Sequence, residues 1–242
     1  MFIHNLRDTT LSKRTLFNWF LLTFLAGNVN AGGFLACGRF VSHVTGFATL
    51  AGVDWAQGHY ASGVGMTAVP MFFLSGVMFS AYVVHRRNHR GKKYGYSIVM
   101  ALVTLCLALV TVGGVRDWFS TFGGMSLYMK RDFWLLSLLC MASGLQNAAI
   151  STSSGYTVRT THLTGVTTDF GIGIMRLLDL KRGTEQYAFE MKANILRAGT
   201  IFSFMLGSFL GALLFLKVSY FGFALPTALA IYATVVSLFE QA

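Results

Sequence analysis

The sequence has little charge for its length. Charged residues make up 12% of its 242 residues, whereas a soluble globular domain carries about 25%. Apolar residues make up 54% of the chain, and the mean hydropathy is +0.58. The chain therefore lacks the charged side chains that a water-facing surface needs, and its composition predicts an integral membrane protein.

Cysteine is also scarce. The three cysteines, Cys37, Cys106 and Cys140, lie in apolar runs and have no paired spacing. This pattern indicates small buried hydrophobic residues rather than disulfides or a metal site. We predict neither a metal site nor a cofactor.

Motifs of enzymes and of nucleic-acid-binding proteins are lacking as well. The sequence contains no Walker loop, no dinucleotide fingerprint and no HExxH motif. The net charge of +10 comes from short basic runs between apolar segments, which is typical of the loops of a membrane protein. We therefore predict a protein that binds no nucleic acid and is not an enzyme; an intramembrane enzyme stays as a third alternative.

Long apolar runs dominate what is present. A helix needs about 20 apolar residues to cross the bilayer, and lipid leaves no partner for the backbone groups of an irregular chain. The sequence therefore predicts an all-α transmembrane helical bundle. Six runs without acidic or basic residues have about the required length, namely 15–38, 60–84, 96–115, 133–150, 198–216 and 218–239.

Two shorter apolar segments, 40–53 and 160–178, either cross the membrane or dip in and return. Lys and Arg collect on the cytoplasmic side. With six spans and a cytoplasmic N-terminus, 14 of the 19 Lys and Arg residues lie inside and 5 outside; eight spans give 11 against 8. The basic run 85–93 decides the count. We predict six spans, two re-entrant segments and cytoplasmic termini.

The two halves of the chain repeat each other. Residues 26–31 (AGNVNA) parallel 143–148 (SGLQNA), and residues 42–46 (SHVTG) parallel 161–165 (THLTG). The offsets are 117 and 119 residues, so the matches occur in the same order and nearly in register. Such internal similarity is a sign of a duplicated structural unit.

Three spans in each half imply that the second half enters the membrane from the opposite side. The sequence therefore predicts an inverted 3+3 repeat, a common design of channels and secondary transporters. The first repeat covers 1–115 with the re-entrant segment 39–59. A linker covers 116–132, and the second repeat covers 133–242 with the re-entrant segment 159–178.

The repeated His-x-Thr-Gly motif supplies the candidate site. Thr45 and Thr164 are N-cap candidates. A short helix beginning there would either point its positive end at an anion, a carbonyl or water, or simply be capped and packed against its neighbours. The other members of the two motifs are His43, Gly46, His162 and Gly165. The histidines could contact a solute, carry protons or make structural hydrogen bonds. We expect the two motifs to meet near the bilayer midplane.

Three further polar residues accompany the motifs. Asn30 and Asn147 lie late in the first span of each half, where an amide must find partners; we favour a scaffold role for them over solute contact. Asp169 follows the second motif closely and is a proton-site candidate or an interfacial residue. Four glycines, Gly27, Gly32, Gly33 and Gly144, are expected to allow close approach of helices and local unwinding.

Two connecting segments have a pattern of their own. Residues 117–132 combine aromatic and charged side chains and indicate an amphipathic linker between the halves. Residues 178–197 carry charges of both signs at helical spacing and indicate an interfacial helix on the cytoplasmic side.

Together, the stretches 27–34, 41–46, 144–148 and 162–165 make the chain resemble the YoaK-like family of uncharacterised bacterial multi-pass membrane proteins, over roughly residues 18 to 238. The family commonly has Asp where this chain has Asn30, and Asn where it has Phe47 and Val166. The resemblance implies a multi-pass protein of the bacterial inner (plasma) membrane. It implies no particular activity.

Two hypotheses for the function follow. The first is a channel or secondary transporter for a small molecule or ion, with a path between the two halves. The second is a non-transporting membrane module that assembles with or binds a partner, in which the repeat is a folding device. The predicted partners are the lipid bilayer and, in the first hypothesis, the solute; a homo-oligomer is compatible with both.

Overall fold

The computed structural model describes residues 13–89, 95–124, 129–153 and 160–239, and those residues form helices and short turns without a β-strand. The α-helices are α1 (Lys13–Cys37), α2 (Val44–Ala56), α3 (Tyr60–His89), α4 (Gly95–Val115), α5 (Met129–Ser153), α6 (Leu163–Asp179), α7 (Glu185–Val218) and α8 (Ala224–Phe239). A 3-10 turn, Ser219–Phe223, joins α7 to α8.

Five stretches in these ranges are long and apolar enough to cross a membrane. They are Lys13–Cys37, Tyr60–Val84, Gly95–Val115, Arg131–Thr152 and Glu185–Phe239. The last is 55 residues long and contains both α7 and α8, whereas one crossing takes about 20 residues. The protein is therefore all-helical, as predicted, and has the helices of a multi-pass membrane protein.

Each long helix packs against at least one other long helix. The most extensive contacts are those of α3 with α5 and of α1 with α7, followed by those of α4 with α8 and with α5. The short helix α2 packs on α3, and the short helix α6 packs on α7. The core contains large side chains such as Trp19, Phe215 and Phe223.

The α1–α7 contact depends on two glycines. A Cβ atom on Gly27 would overlap the carbonyl oxygen of Phe204, and one on Gly207 would overlap the carbonyl oxygen of Phe24. The backbones therefore touch directly, as small residues allow between membrane helices. Phe20 packs against Gly199 near one end, and Phe215 reaches Gly32 near the other, so α1 and α7 run parallel.

The α3–α5 contact repeats this arrangement. A Cβ atom on Gly144 would overlap the carbonyl oxygen of Phe73, and one on Gly76 would lie 2.5 Å from the carbonyl oxygen of Met141. Gly144 lies 117 residues after Gly27, and Gly76 lies 131 residues before Gly207. Each crossing is thus made by one glycine from each of its two helices, although the two offsets differ by 14 residues.

Threonine pairs join α4 to α8. The hydroxyl oxygens of Thr104 and Thr234 are 3.2 Å apart, and so are those of Thr111 and Thr227. The earlier threonine of α4 faces the later threonine of α8. These two helices therefore run antiparallel.

Three connections meet at one end of the bundle. The hydroxyl of Tyr220, in the turn before α8, donates to the carbonyl of Ser120 between α4 and α5 at 2.8 Å. The N–H of Gly123 donates to the carbonyl of Ala36 at the end of α1 at 3.2 Å. The end of α1, the α4–α5 connection and the α7–α8 connection therefore lie on the same face of the bundle.

Two predictions about the second half of the chain were wrong. Residues 178–197 do not form a separate interfacial helix, because α7 continues from Glu185 into the apolar span without a break. The last span does not begin at residue 218, since the 3-10 turn delays α8 until Ala224. Residues 116–124 of the linker form turns, and α5 already begins at Met129.

Arg90, Lys92 and Lys93 of the basic run 85–93 lie outside the described residues. Both ends of the chain lie outside them as well.

Candidate functional site

The first His-x-Thr-Gly motif forms the start of α2. His43 is the N-cap residue with φ −103° and ψ 74°, and its side chain makes no capping hydrogen bond. Its carbonyl accepts hydrogen bonds from the N–H groups of Gly46 and Phe47, at 3.0 and 3.3 Å. The imidazole is exposed.

The second motif forms the start of α6 in the same way. His162 is the N-cap residue with φ −96° and ψ 57°, its side chain makes no capping hydrogen bond, and it is exposed. Its carbonyl accepts from the N–H of Val166 at 3.0 Å. The prediction that Thr45 and Thr164 are the N-caps was wrong, because each helix begins two residues earlier.

The two threonines instead lie in the first turns of their helices. The Thr49 hydroxyl donates to the Thr45 carbonyl at 3.0 Å, and the Thr168 hydroxyl donates to the Thr164 carbonyl at 2.9 Å. The repeat is therefore longer than the four-residue motif and reads His-x-Thr-Gly-x-x-Thr-x-x-Gly in both halves. Sequence reasoning missed the second threonine and the last glycine, although the same offset of 119 residues relates them.

Asn30 holds the chain that leads into α2. Its Oδ1 atom accepts hydrogen bonds from the N–H of Ser42 at 3.4 Å and from the Ser42 hydroxyl at 3.2 Å. Ser42 immediately precedes His43, so the amide of α1 fixes the start of the short helix. Asn30 thus makes structural hydrogen bonds within the chain, and a contact with a solute stays a prediction.

The equivalent amide in the second half makes no such bond. The Oδ1 atom of Asn147 and the hydroxyl of Thr161, the residue before His162, are both buried without a hydrogen-bond partner among the described residues. Residues 154–159, which precede Thr161, lie outside the described part of the chain. A hydrogen bond between Asn147 and Thr161 would reproduce the Asn30–Ser42 contact and would satisfy both groups.

Asp169 lies in the middle of α6 and is exposed. It has no ion pair with another described residue. Its carboxylate therefore lies apart from the two histidines that begin the short helices, seven residues beyond His162. Whether it carries a proton stays a prediction.

Contacts at the far end of α2 indicate how deep its start lies. The Ser62 hydroxyl donates to the Asp54 carboxylate at 2.6 Å, and Trp55 packs against Gly63. Both helices rise about 1.5 Å per residue, so following this antiparallel register back along α2 places His43 opposite about Leu74 of α3. The apolar part of α3 covers 60–84. His43 thus lies near the middle of the neighbouring span.

The same argument holds for α6 and α7. Arg176 lies 3.7 Å from Glu190, and Gly173 packs against Asn194. Following this register back places His162 opposite about Phe204 of α7. Phe204 lies within the apolar run 198–216, close to its middle. Both motifs are therefore at about half the depth of an adjacent long helix.

The two short helices do not meet within the chain. Both lie wholly in the described residues, α2 packs on α3, α6 packs on α7, and no contact joins α2 to α6. The expected shared pocket between His43, Thr45, His162 and Thr164 is therefore not formed inside one chain. The physical reason is that each short helix folds back as a hairpin on its own following helix, and these two helices belong to different helix pairs.

A groove lies beside the start of α2. It has a volume of about 220 Å³ and opens at the surface of the protein. The Nε atom of Arg39 is buried without a partner among the described residues, while its Nη1 atom donates to the Gly38 carbonyl at 3.1 Å. The groove is lined by Gly38, Arg39, Phe40, His43, Gly46, Phe47 and Leu50.

Metal-binding geometry is not found among the described residues, which contain no group of three His, Cys, Asp or Glu side chains close enough to hold an ion. No curated protein and no solved structure matches the chain. The model of the DUF1275 family, described as proteins of unknown function, matches residues 19–236, and the chain therefore belongs to that family.

Proposed function

We propose that the protein is a channel or secondary transporter for a small solute, built from two inverted repeats of three spans each. The observation that carries the proposal is the pair of short helices α2 and α6. Both begin with the same motif at about half the depth of the helix beside them. Short helices whose positive ends lie inside the bilayer are the elements with which many transporters bind solutes.

The contacts between helices support the duplication. If α1–α4 are equivalent to α5–α8, the α1–α7 contact is equivalent to α5–α3, and the α2–α3 contact is equivalent to α6–α7. All four contacts occur, and the first two are the most extensive ones between the described helices. Each of the two long crossings also has one glycine from each helix against a carbonyl oxygen of the other. A pseudo-two-fold axis through the bundle accounts for this pattern.

The helix directions support the inverted form of the repeat. Equivalent helices run antiparallel when each half has three spans and parallel when each half has four. The threonine pairs join α4 and α8 in antiparallel register, with Thr104 facing Thr234 and Thr111 facing Thr227. This register supports six spans rather than eight.

The hydrogen bonds at the end of the bundle support the same count. With six spans, the end of α1, residues 116–124 and the turn 219–223 all lie on the outer face. With eight spans, residues 116–124 would lie on the inner face. The Tyr220–Ser120 and Gly123–Ala36 hydrogen bonds favour the first topology.

The chemistry at the motifs indicates the class of solute. The N–H groups of Val44 and Thr45, in the first turn of α2, have no acceptor within the helix, and they add to the positive end of its dipole. Arg39 adds a positive charge in the adjacent groove. We therefore propose a small anion, or a neutral solute with oxygen acceptors, rather than a cation.

The alternative function is a non-transporting module that assembles with a partner. The separation of α2 from α6 favours it, because one chain by itself does not form a cavity between the two motifs. The discriminating observation is solute flux through the purified protein in a sealed vesicle.

The test of the proposed function uses the full chain in proteoliposomes, with chloride, glycerol and potassium as separate probes. We expect chloride or glycerol flux above that of protein-free vesicles and no potassium flux. Replacing both His43 and His162 with Ala should lower the flux at least about tenfold, the loss that corresponds to about 1.4 kcal/mol of interaction.

The matched control is His59→Ala, since His59 is an exposed histidine in the turn between α2 and α3, away from both motifs. It should leave the flux unchanged. If all three probes fail to cross, or if the double variant transports as fast as the original protein, the transport proposal is wrong and the assembly module becomes the better account.

A further inference from the structure

An arginine lines the groove beside α2 without an acidic partner. The Nη1 atom of Arg39 donates to the carbonyl of Gly38 at 3.1 Å, and its Nε atom is buried and has no partner among the described residues. None of the described carboxylates forms an ion pair with this guanidinium. The buried Asp132 accepts from the N–H of Ser120 instead, at 3.3 Å. The positive charge of Arg39 is therefore not neutralised by the described part of the chain.

The backbone of Arg39 lies within the apolar depth of α1. The chain turns back after α1 at Gly38, which has a φ of +68°. A Cβ atom on Gly33 would lie 3.5 Å from the Arg39 carbonyl oxygen. Gly33 precedes the end of the apolar run 15–38 by five residues, which is about 7.5 Å along a helix. Ionisable side chains at such depth normally pair with one another or face the pathway of a solute.

The free edge of this guanidinium has the shape that a carboxylate requires. A guanidinium presents two parallel N–H bonds along its Nε–Nη2 edge, and a carboxylate accepts both of them at once. In Arg39 the carbonyl of Gly38 occupies Nη1, so the Nε–Nη2 edge is the one that remains. A neutral amide offers one such oxygen and no charge, and an ammonium group is repelled. The side chain therefore favours an anion with two coplanar oxygens.

The walls of the groove are mostly apolar. Phe47 is buried and Leu50, about one turn further along α2, is half-buried. Phe40 stacks on Phe34, with ring centroids 4.5 Å apart and planes 8° from parallel, and this contact holds its ring beside the groove. An anion that is polar all round, such as phosphate, loses hydration against such walls. An organic acid gains, because its apolar part is removed from water.

Two residues of the first motif shape the space. Gly46 lines the groove, and a Cβ atom there would lie 2.9 Å from the Nδ1 atom of His43. The His43 ring is edge-on to Phe40, with 6.2 Å between the ring centroids. The imidazole thus has a fixed place over Gly46. The volume of about 220 Å³ exceeds the cavity of about 150 Å³ that holds benzene, so a ring or a short chain fits beside a carboxylate.

From these observations we infer that the groove is a carboxylate site, and that the solute of the proposed function is an organic acid with one carboxylate and an apolar ring or chain. Arg39 binds the carboxylate through Nε and Nη2, and Phe40, Phe47 and Leu50 contact the apolar part. Arg39 is the only Lys or Arg among the lining residues, so a second carboxylate would have no such partner. The acid comes from water or, as a fatty acid, from the bilayer. The inference depends on the proposed function for the passage of the acid and not for its binding.

The test is isothermal titration calorimetry of the purified full chain in detergent at neutral pH. Benzoate is the probe, and benzamide and benzylammonium are its neutral and cationic analogues of similar size. We expect benzoate to bind, benzamide to bind at least about tenfold more weakly, since it lacks the charge and one acceptor oxygen, and benzylammonium not to bind. Butyrate should bind more tightly than acetate, because acetate lacks most of the apolar part.

Variants of the groove define the specificity. Arg39→Gln should lower the benzoate affinity at least about tenfold, and Arg39→Lys should recover only part of it, because an ammonium group keeps the charge without the two parallel N–H bonds. The matched control is Arg116→Gln, an exposed arginine outside the groove, which should leave the affinity unchanged. Gly46→Ala is a second variant, whose methyl group displaces the His43 ring and should lower the benzoate affinity at least about fivefold. Each variant is checked by its elution as a single species.

The inference is overturned if benzoate, butyrate and laurate all fail to bind, if benzamide binds as tightly as benzoate, or if folded Arg39→Gln or Gly46→Ala keeps the original affinity. Binding of laurate alone, measured against Arg39→Gln in the same micelles, would keep the carboxylate site and identify the ligand as a fatty acid of the bilayer. Carboxylate binding without flux of any probe would disprove the transport proposal and leave the site intact. Chloride or glycerol flux without carboxylate binding would do the opposite.

Discussion

Gly27 and Gly144 have the same role in two different helix pairs, each lying against a carbonyl oxygen of the neighbouring helix. The sequence predicted close helix approach at both positions, among the four glycines singled out in the first span of each half. It did not reveal Gly76 and Gly207, which complete the crossings. In continuously apolar helices these two glycines share only a Phe-x-x-Gly pattern, which occurs too easily by chance to be diagnostic.

Gly27→Ala and Gly144→Ala should each destabilise the protein by about 1–3 kcal/mol, because an added methyl group must push two backbones apart. The measurement is the thermal unfolding midpoint in detergent. Gly171→Ala is the control and should not lower the midpoint, since that position is open within the chain. Equal midpoints for Gly27→Ala and Gly171→Ala would contradict the proposed contact.

Asn30→Ala should cost about 1 kcal/mol, since it removes the acceptor for the Ser42 N–H and hydroxyl. Asn30→Asp keeps an acceptor oxygen and should lose much less. Chemical denaturation in mixed micelles measures both. If the two substitutions are equally damaging, the amide nitrogen of Asn30 has a role that the Ser42 contact does not explain.

At the scale of the helices, five of the predicted spans agree with α-helices to within a few residues. The agreement holds at both ends of α1, α4 and α5, and at one end of α3 and α7. Their apolar runs end at charged residues or at turns, which can be recognised from the neighbouring residues alone. The short segments also contain helices, α2 and α6, as the motif predicted. The error at 178–197 arose because charge at helical spacing does not show whether a helix ends at the membrane surface or, like α7, continues into the bilayer.

The threonine pairs between α4 and α8 should behave as two independent units. In a double-mutant cycle, Thr104→Val and Thr234→Val should show a coupling of about 0.6 kcal/mol, the average for such bonds between membrane helices. Thr104→Val combined with Thr227→Val should be additive, because those hydroxyls are not paired. Coupling in the second combination, but not in the first, would mean a different register.

Glu190 should hold α6 on α7. Its carboxylate accepts from Arg197 Nη1 at 2.6 Å and lies 3.7 Å from Arg176 Nη1. Glu190→Ala removes the hydrogen bond from Arg197, which keeps Asn194 as a partner, and the pairing with the exposed Arg176, at a cost of about 1 kcal/mol. Trypsin should then cleave the turn at Lys181 and Arg182 faster. The exposed Glu185→Ala is the control, and equal cleavage of the two variants would contradict the role of Glu190.

For the whole molecule, two short sequence matches predict a duplication, but they do not predict the position of the two motifs relative to each other. The sequence indicates that each half has a short helix with a His-x-Thr-Gly start. It does not indicate that α1 pairs with α7 and α5 with α3, which exchanges long helices between the halves. That exchange keeps α2 and α6 apart, so the expected pocket within one chain does not form.

The opposite orientation of the two halves can be tested through two equivalent turns. Gln57 follows α2, Arg182 follows α6, and both are exposed. The three native cysteines are buried, so a membrane-impermeant maleimide should report mainly on an introduced one. In intact cells, Gln57→Cys should react from outside, and Arg182→Cys should react only after the membrane is opened. Labelling of both residues from the same side would contradict the inverted repeat.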